Sequence, residues 1–486
     1  MSLISVNNLT FGYDGSLKNI FENVSFNIDT DWKLGLIGRN GKGKTTFLKL
    51  LLGKYEYQGA ISKNVEFDYF HFEVKNKERM AIEIVNEIAP NVEDWEIIRE
   101  LNLLNTDTEV LYRSFNLLSG GEQIKILLIS LFLKGNNFLL IDEPTNHLDI
   151  ETRNNLVNYL EKKKGFILVS HDRNFLDKVV NHIISINNTN IEIQQGNFSS
   201  WKENKNRQDN FEKIQNERLQ KDINRLEIAS KNCAKWSNEA EKTKNKKYNS
   251  ETTIDKGYIG HKADKMMKKS KVMEQRIEKA INEKTNLLKN IEVNDTLKII
   301  PLKSNKNPLI FAHNLQIKYS KETIFNPITF EVNNGDRVAL IGKNGIGKSS
   351  ILKLILGEEL QYNGEFMVAN DLKISYVSQS TEDLKGNLRT FAYDNKINES
   401  IFKAMLVKMG LSQFDFDTNI QDMSEGQKKK VLIAKSISEQ ANIYIWDEPL
   451  NYIDILTREQ IEDAILNYNP TIIFVEHDEK FIEKVA

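Results

Sequence analysis

The strongest constraint on the fold is an internal repeat, because the chain of 486 residues carries the same ordered segments twice, about 305 residues apart. In each copy, short apolar runs alternate with helical patterns, which predicts an α/β domain with a parallel sheet flanked by helices. We expect two such domains, at 1–200 and 305–486. The repeated segments are LGLIGRNGKGKTTFLKLLLG (34–53) and VALIGKNGIGKSSILKLILG (338–357), LLIDEPTNHLD (139–149) and YIWDEPLNYID (444–454), and ILVSHDRNFLDKV (167–179) and IFVEHDEKFIEKV (473–485).

The segment between the copies, 201–304, has a different character. Residues 201–290 contain 23 Lys or Arg against 14 Asp or Glu, a net charge of +9, whereas the whole chain has a net charge of −2. Apolar residues recur at spacings of three, four or seven on both sides of a basic stretch at 242–262, which is typical of a coiled-coil seam. We predict two antiparallel helices, each about 40 residues and 60 Å long, joined at a tip near 242–262. The basic excess indicates either a polyanionic partner or a solvated helical face.

Each copy contains a phosphate-binding motif of the form G-x-x-x-x-G-K-[ST], between an apolar strand-like run and an amphipathic helix, as the motif requires. Its glycines allow backbone N–H groups to surround the phosphates of a nucleotide, and its lysine neutralises phosphate charge. The hydroxyl groups of Thr45 and Ser349 are predicted to bind Mg²⁺. The predicted nucleotide-binding residues of these loops are Gly38, Asn40, Gly41, Gly43, Lys44, Thr45, Thr46, Gly342, Asn344, Gly345, Gly347, Lys348, Ser349 and Ser350.

Paired acids end an apolar strand in each copy, in FLLIDEP (138–144) and IYIWDEP (443–449). The first acid of each pair, Asp142 or Asp447, suits a place next to Mg²⁺. The second, Glu143 or Glu448, suits polarising the water that attacks a γ-phosphate. The repeat therefore predicts two centres for nucleotide hydrolysis.

LSGGEQ at 118–123 resembles the signature of ATP-binding-cassette (ABC) ATPases, and MSEGQK at 423–428 is its counterpart in the second copy. The resemblance implies ATP and Mg²⁺ as cofactors and ATP hydrolysis as the activity. It also implies that His171 and His477 are switch histidines that contact the γ-phosphate. Further nucleotide contacts that it implies are Tyr13 and Tyr319, which would stack on adenine, and Ser119, Gly121, Ser424 and Gly426 of the signatures. For either tyrosine, packing in the core is the alternative.

ABC cassettes pair head to tail, so the resemblance implies two ATP sites in one chain, each between one P-loop and the opposite signature. We call them site one and site two, after the cassette that supplies the P-loop. The second cassette has Gln379, an expected Mg²⁺ ligand, where the first has Phe72. Phenylalanine can neither bind Mg²⁺ nor orient water, and site one also faces the irregular signature MSEGQK. We therefore expect slower hydrolysis at site one.

The chain can be compared with three classes of ABC protein. A fused double ATPase of a solute importer lacks a long charged hairpin between its halves. A chromosome or DNA-repair ATPase has a far longer coiled coil or zinc ligands. The motif DEPTNHLD (142–149) and the segment QQGNFSSWKENKNRQ (194–208) resemble sequences of the ABC-F family of translation factors. In that family a linker of this kind joins two cassettes.

Within ABC-F, the chain is similar to antibiotic-resistance members of the Lsa and Vga type, which protect the ribosome. Leu118 follows Gly38 by 80 residues and Met423 follows Gly342 by 81, so any arm insertion is small. The resemblance implies ribosome binding, with the linker tip near the peptidyl-transferase centre, and protection against lincosamides, pleuromutilins and streptogramin A. A housekeeping ABC-F factor that rescues stalled ribosomes and an importer ATPase stay as alternatives. Direct and indirect drug displacement both stay open.

Lysines of the linker are expected to bind phosphates of 23S rRNA and P-site tRNA, with salt-dependent affinity and little sequence specificity. Its tyrosines suit stacking on exposed bases, with packing across the hairpin as the alternative. The predicted RNA contacts are Lys242, Lys244, Lys246, Lys247, Tyr248, Tyr258, Lys262 and Lys265.

The resemblance implies a monomer in which the two ATPase domains pair within the chain. Three further features predict a cytoplasmic protein without a membrane partner. The most apolar run, 124–134, is shorter than the ~18 residues of a membrane span. The N-terminus lacks the basic and apolar regions of a signal peptide, and Cys233 is the single cysteine.

The second copy ends nine residues after His477, whereas the first continues about 30 residues past His171. We therefore expect an incomplete C-terminal end of the second domain.

Overall fold

The computed structural model describes residues 3–15, 19–70, 72, 74–135, 137–146, 148–187, 190–244, 265, 268–269, 271–273, 275–280, 296–319 and 322–486. Contacts divide the chain into two compact units. One unit, 1–201 with 294–486, contains both copies of the repeat, which we call the first and the second cassette. The other unit, 202–293, contains most of the linker.

The first cassette combines an antiparallel sheet, a mainly parallel sheet and helices. Its strands are β1 (Leu3–Phe11), β2 (Phe21–Asp29), β3 (Lys33–Ile37), β4 (Gln58–Ser62), β5 (Glu66–Phe70), β6 (Asn137–Asp142), β7 (Phe166–Val169), β8 (His182–Asn187) and β9 (Asn190–Gln195). Its helices are α1 (Lys44–Leu51), α2 (Ala81–Ile88), α3 (Asp94–Leu103), α4 (Gly120–Leu133), α5 (Ile150–Leu160) and α6 (Arg173–Val179). In the described residues the sheets have the orders β2-β1-β4 and β5-β6-β7-β3-β8-β9.

Alternation along the parallel strands creates a hydrophobic core on each face of that sheet. Leu140 and Ile167 belong to the core that contains α1 and the antiparallel sheet. Leu139 and Leu168 belong to the core formed with α2 to α6. Because successive side chains of a strand point to opposite faces, a strand that is buried on both faces needs a continuous apolar run. The run before each pair of acids meets that need and carries the acids to the end of the sheet.

The second cassette repeats this plan. Its strands are β10 (Ile310–Tyr319), β11 (Glu322–Thr323), β12 (Ile328–Val332), β13 (Arg337–Leu340), β14 (Gln361–Val368), β15 (Ile374–Val377), β16 (Ile443–Asp447) and β17 (Ile472–Val475). Its helices are α8 (Lys348–Ile355), α9 (Leu388–Asp394), α10 (Glu399–Lys408), α11 (Glu425–Ser438), α12 (Ile455–Tyr468) and α13 (Glu479–Val485). In the described residues its parallel sheet has the order β13-β17-β16-β15, which matches β3-β7-β6-β5 of the first cassette.

The linker begins with one long helix, α7 (Phe198–Lys244), of 47 residues. At the rise of an α-helix this corresponds to about 70 Å. Within the second unit, Ile223 of α7 and Ile277 of the helical segment 275–280 are buried. Both belong to the apolar positions that the sequence predicts for the coiled-coil seam. Within the described part of the chain, no helix combines the length and the apolar character that crossing a membrane requires.

Most of the predicted RNA contacts fall outside the described residues. Lys265 is described and exposed, while Lys242 and Lys244 lie on α7 without a description of their side chains. The predicted tip contacts Lys246, Lys247, Tyr248, Tyr258 and Lys262 lie outside the described residues. The tip at 242–262 and the hairpin connection therefore stay predictions.

Residues 296–304, which the sequence assigns to the linker, lie against the second cassette. Leu297 and Ile299 are each 1% exposed and pack in its helical core. The backbone N–H of Leu302 donates to the carbonyl of Ala441 at 2.8 Å. The contacts thus divide the chain after Val293, and the predicted domain bounds stay predictions.

The two cassettes contact each other through a buried ion pair. Arg173 of α6 binds the carboxylate of Glu462 of α12, which is fully buried. Lys484 of α13 lies 3.0 Å from the same carboxylate. A second ion pair between the cassettes, Lys343 with Glu151 at 2.6 Å, has side chains that are 70% and 62% exposed. The contact between the cassettes therefore includes both a buried ion pair and a solvent-exposed ion pair.

Replacing Glu462 with alanine is expected to destabilise the protein by about 3–5 kcal/mol, because Arg173 would keep a buried charge without its partner. The matched control, Glu151→Ala, removes the exposed pair and is expected to cost less than about 1 kcal/mol. Urea unfolding followed by tryptophan fluorescence measures both losses. Equal losses would contradict a structural role of the buried pair.

Candidate nucleotide-binding sites

Each P-loop ends in a glycine whose backbone conformation starts the following helix. α1 begins after Gly43, with φ 95°, and α8 begins after Gly347, with φ 98°. Other residues rarely adopt this left-handed region. A Cβ at Gly43 would also lie 2.6 Å from a methyl carbon of Ile20. The loop thus directs the N–H groups of the first helical turn towards its centre, where a helix N-terminus favours anions.

The P-loop lysines fold back onto their own loops. Lys44 Nζ donates to the carbonyl of Gly38 at 2.8 Å, and Lys348 Nζ donates to the carbonyl of Gly342 at 2.7 Å. Burial lowers the pKa of both lysines, against the opposing effect of nearby carboxylates. Bonds to phosphate oxygens can replace these bonds to carbonyls, because phosphate oxygens carry negative charge and attract an ammonium group more strongly than neutral carbonyl oxygens do.

The first acid of each pair accepts a hydrogen bond from the hydroxyl that ends the P-loop motif. Asp142 Oδ2 accepts from Thr45 Oγ1 at 3.1 Å, and Asp447 accepts from Ser349. Burial raises the pKa of Asp447, and its Oδ1 is buried without a hydrogen-bond partner among the described residues. Carboxylate and hydroxyl oxygens are ligands that Mg²⁺ prefers, so these residues fit a metal ion here.

In site one the second acid faces the switch histidine. Glu143 Oε1 lies 3.3 Å from His171 Nε2. Burial and the neighbouring Asp142 raise the pKa of Glu143 to about 8. Burial and the Lys44 ammonium lower the pKa of His171 well below its usual range. Both shifts disfavour the charged forms of the pair, a carboxylate and an imidazolium.

In site two the second acid, Glu448, borders an open cavity. Glu448 Oε1 lies 3.8 Å from His477 Nε2, and Asn451 Nδ2 donates to Glu448 Oε2 at 2.7 Å. Neither ring nitrogen of His477 has a hydrogen-bond partner in the described part of the chain. The cavity has a volume of about 310 Å³ and is lined by Asn344, Gly345, Gly347, Lys348, Ser349, Ser350, Gln379 and Glu448. It brings together predicted residues from the P-loop, the second acid and Gln379.

Both predicted catalytic glutamates have an unusual backbone conformation. Glu143 has φ 50° and Glu448 has φ 46°, in the left-handed region. Each N–H donates to a carbonyl of the neighbouring strand, that of Val169 at 2.9 Å and that of Val475 at 3.0 Å. The ends of parallel strands thus hold both residues in this conformation.

Gln379 and Phe72 occupy the same place in the two cassettes. Phe70 of β5 pairs with Ile141, and Val377 of β15 pairs with Trp446, each just before the first acid. Phe72 lies two positions after Phe70, and Gln379 lies two positions after Val377. Gln379 lines the cavity of site two, whereas the Phe72 side chain is 39% exposed. The repeat therefore supplies an amide at one site and an aromatic ring at the other.

Each signature begins a helix with a serine cap. Ser119 Oγ accepts from Glu122 N, and Ser424 Oγ accepts from Gln427 N, both at 3.3 Å. In each case the side chain of the capping-box partner reaches back to the serine N–H. The two helices therefore start in the same register despite their different sequences.

Head-to-tail contacts join each P-loop to the opposite cassette. Asn40 Nδ2 donates to the carbonyl of Tyr452 at 2.7 Å and lies 2.8 Å from the position of a Cβ on Gly426. In the other half, the N–H of Asn344 donates to Asp149 Oδ2 at 3.5 Å. Gly121 of the first signature lies beside Thr152, on the helix that Asp149 caps. Each P-loop thus faces the signature region of the other cassette.

Of the two predicted adenine contacts, Tyr13 is described in full. Its side chain is 45% exposed, and its hydroxyl lies 2.8 Å from Thr46 Oγ1. It packs edge-on against Phe11 and Tyr55, with ring centroids 5.2 and 5.7 Å away. The exposed ring next to the P-loop fits stacking on a base. The side chain of Tyr319 lies outside the described residues.

The sequence interpretation missed several side chains that shape the sites. Tyr69 donates to Asp142 Oδ2 at 3.0 Å, and Arg153 donates to the carbonyl of His477 across the cassette contact at 2.9 Å. Burial and Asp447 raise the pKa of Tyr376, at the equivalent position of the repeat, to about 12. The recurrence of this tyrosine in both copies was an available signal. Arg153 also recurs, as Arg458 at the equivalent place of the second copy, so it carried the same signal, although a charged residue on a helix is usually solvated.

Comparison with known proteins places these sites in a family. The sequence pattern described as ABC transporter matches residues 21–146 and 325–451. The whole chain is 29% identical to the ATP-binding protein Uup of Buchnera aphidicola, over 80% of that protein. It is 28% identical to the ribosome protection protein VmlR of Bacillus subtilis, over 98% of the chain and 84% of the relative. It is 24% identical to ABC transporter F family member 2 of Arabidopsis thaliana, over 99% and 75%.

The fold is similar to that in a crystal structure of the archaeal ribosome recycling factor aABCE1 in complex with the ribosomal stalk protein aP1. The TM-score is 0.63 at 19% identity, over 99% of this chain and 86% of that one. This likeness concerns the fold alone, and it confirms the predicted fold class with two ABC ATPase domains. The family pattern covers more than half of the chain, and its domains confirm the predicted ATPase activity. The chain therefore belongs to the ABC transporter family, as a protein with two nucleotide-binding ATPase domains in one polypeptide.

Proposed function

We propose that this ATPase is an ABC-F protein that binds the ribosome and protects it against lincosamides, pleuromutilins and streptogramin A. The observation that carries the proposal is the compact unit of residues 202–293, which separates the two cassettes in the sequence and has an excess of basic residues. Similarity to the ribosome protection protein VmlR over 98% of the chain supports it, because that similarity includes the linker as well as the ATPase domains.

The described part of the linker has a surface suited to RNA. Lys265, Lys268 and Lys269 border a groove whose floor contains Val272 and Ile277. The lysines would contact phosphates of 23S rRNA and P-site tRNA, and the apolar floor would hold the helices in place. Each phosphate contact releases counterions, so binding should weaken steeply with salt. The helices would carry the tip, 242–262, towards the peptidyl-transferase centre.

At the ATP sites, Lys44 and Lys348 would exchange loop carbonyls for the phosphates of two ATP molecules. Mg²⁺ would be held through Thr45 and Asp142 in site one and through Ser349, Asp447 and Gln379 in site two, and would neutralise phosphate charge. Glu448 would accept a proton from the attacking water, and His477 would donate to the γ-phosphate. Head-to-tail pairing of the cassettes within one monomer would close both sites.

The same roles would be less effective in site one. Phe72 replaces the amide that Gln379 supplies in site two, and the signature that faces site one has Glu425 where the other has Gly120. Site two would then be the main centre of hydrolysis, and site one would mainly hold ATP.

We expect Glu143→Gln to keep most of the ATP hydrolysis and Glu448→Gln to lose at least about tenfold, because general-base catalysis contributes about 10²–10⁴-fold. Single-turnover hydrolysis with enzyme in excess over ATP separates the two variants. The double variant gives the rate without either glutamate. Equal rates of the two single variants would disprove the assigned asymmetry.

A housekeeping ABC-F factor that rescues stalled ribosomes is the second candidate. The identity of 29% to the ATP-binding protein Uup is as high as the 28% to the ribosome protection protein VmlR, so similarity alone does not single out ribosome protection. Both candidates require ATP-dependent ribosome binding. Only the first requires a change in drug susceptibility.

Expression in a susceptible bacterium is expected to raise the inhibitory concentration of at least one lincosamide, pleuromutilin or streptogramin A. The Glu143→Gln/Glu448→Gln variant should abolish the protection, because the ATPase cycle is required to leave the ribosome again. Susceptibility to a drug that acts on the small ribosomal subunit serves as the control and should not change. Unchanged susceptibility to all three classes, with ribosome co-sedimentation intact, would favour the housekeeping function.

Replacing Lys265, Lys268 and Lys269 with glutamine is expected to weaken ATP-dependent ribosome binding and to reduce its dependence on salt by about 0.7–0.9 per lost phosphate contact. The matched control replaces three exposed lysines of the cassettes, Lys162, Lys164 and Lys385. Sedimentation with ribosomes at several salt concentrations measures both effects. An equal loss in both triple variants would indicate net charge rather than linker contacts.

A further inference from the structure

The second cassette contains a buried lysine that the first cassette lacks. Ile124 and Lys429 each lie five residues after the capping serine of the signature helix, Ser119 or Ser424. The two capping boxes start both helices in the same register, so the two residues occupy equivalent places. Lys429 is only 2% exposed. A lysine is rarely buried to this extent without specific partners, so its contacts indicate its role.

The ammonium group of Lys429 joins two segments of site two. Its Nζ donates to the carbonyl of Ser378 at 2.9 Å and to the carbonyl of Glu448 at 3.1 Å. Ser378 immediately precedes Gln379, the residue that lines the cavity. One charged group thus fixes the distance between the backbones of the predicted metal ligand and the catalytic glutamate. The first cassette has no such donor, because isoleucine occupies the equivalent place.

A second substitution accompanies the lysine. Glu476 comes directly after β17, and Ser170 comes directly after β7. The two positions are equivalent, because the preceding residues, Val475 and Val169, pair with the first acids Asp447 and Asp142. Glu476 is buried and accepts from the N–H groups of Leu450 at 2.7 Å and His477 at 3.1 Å. Its carboxylate has the strongest attractive effect on the Lys429 ammonium, ahead of Glu448, Asp447 and Glu425. The two substitutions therefore bring opposite charges into one buried region.

We propose that Lys429 is a positioning residue for site two, which holds Gln379 and Glu448 in one arrangement while Glu476 balances its charge. This inference rests on the proposed catalytic roles of Gln379 and Glu448. Lys429 does not line the cavity, so it acts through the backbones of the two residues that do. The first cassette has Ile124 and Ser170 at the equivalent positions, and therefore neither the lysine nor the glutamate.

The test uses the Glu143→Gln protein, in which only site two can use a catalytic glutamate. Lys429→Ile, the residue of the first cassette, is expected to lower kcat about tenfold or more, because small misplacements of catalytic groups are costly. The KM for ATP should change by less than about threefold, because the groups that bind phosphate are untouched. Adding Glu476→Ser should recover part of kcat, since it removes the unbalanced carboxylate. Lys435→Ile, on the same helix, removes one lysine away from the site and should change kcat by less than about twofold.

The pH profile provides a readout that a merely structural lysine would not affect. Burial lowers the pKa of Lys429 to about 8. Its ammonium is present below that pH and lost above it, so kcat should fall as pH rises through about 8. Lys429→Arg keeps the charge at higher pH and should move this fall upwards while it retains activity. An unchanged alkaline limb in Lys429→Arg, or a kcat of Lys429→Ile within twofold of its parent, would overturn the proposal.

The proposed roles of Gln379 and Glu448 can fail separately. If Glu448→Gln leaves hydrolysis unchanged in the otherwise wild-type protein, the assignment of that glutamate is wrong, whatever the Lys429 variants do. If Glu448→Gln abolishes hydrolysis but Lys429→Ile does not lower it, only the positioning role is wrong. Should Lys429→Ile fail to fold, the arginine variant and the double variant Lys429→Ile/Glu476→Ser still decide the question.

Discussion

The arrangement of site one depends on a buried ion pair next to the contact between the cassettes. Lys430 and Asp454 lie 2.7 Å apart with side chains that are 4% and 1% exposed. Burial alone would raise the pKa of Asp454, but the Lys430 ammonium outweighs it and holds the pKa well below its usual range. Such a pair offsets its desolvation only while both partners stay in place. Asp454 also lies 3.5 Å from the N–H of Asn40, so the cassette contact and the P-loop geometry of site one depend on the same carboxylate.

Duplication allowed the two sites to differ without a change of fold. The parallel sheets have matching strand orders over their shared strands, and both P-loops begin their helices in the same way. The differences are single side chains just after strands of the parallel sheets or in the first half of the signature helix. In the alignment of the two copies, Phe72 is equivalent to Gln379, Ile124 to Lys429, and Ser170 to Glu476. A scaffold set by backbone hydrogen bonds and apolar cores tolerates such changes at its strand ends, where the chemistry occurs.

The sequence predicted the fold class and the family of motifs because these depend on local patterns. Apolar runs that end in paired acids predict strand ends, and the P-loop glycines meet a backbone requirement that other residues rarely satisfy. Contacts between distant charged residues were not predictable in this way. Arg153 and Arg173 look like ordinary solvated helix residues in sequence, yet each binds the opposite cassette. Lys429 in the run KKK (428–430) looks like part of a basic surface, and only the structure shows that it is buried.

The left-handed backbone of the two proposed catalytic glutamates, Glu143 and Glu448, has a consequence for how the protein can evolve. A non-glycine residue in this region costs about 1–3 kcal/mol, which the surrounding sheet must offset. Glycine at position 143 or 448 would relieve that cost and remove the carboxylate at the same time. Selection for thermal stability and selection for ATP turnover therefore favour different residues at these two positions. A variant library screened for stability alone would be drawn towards cassettes that still fold and still bind ATP but no longer hydrolyse it.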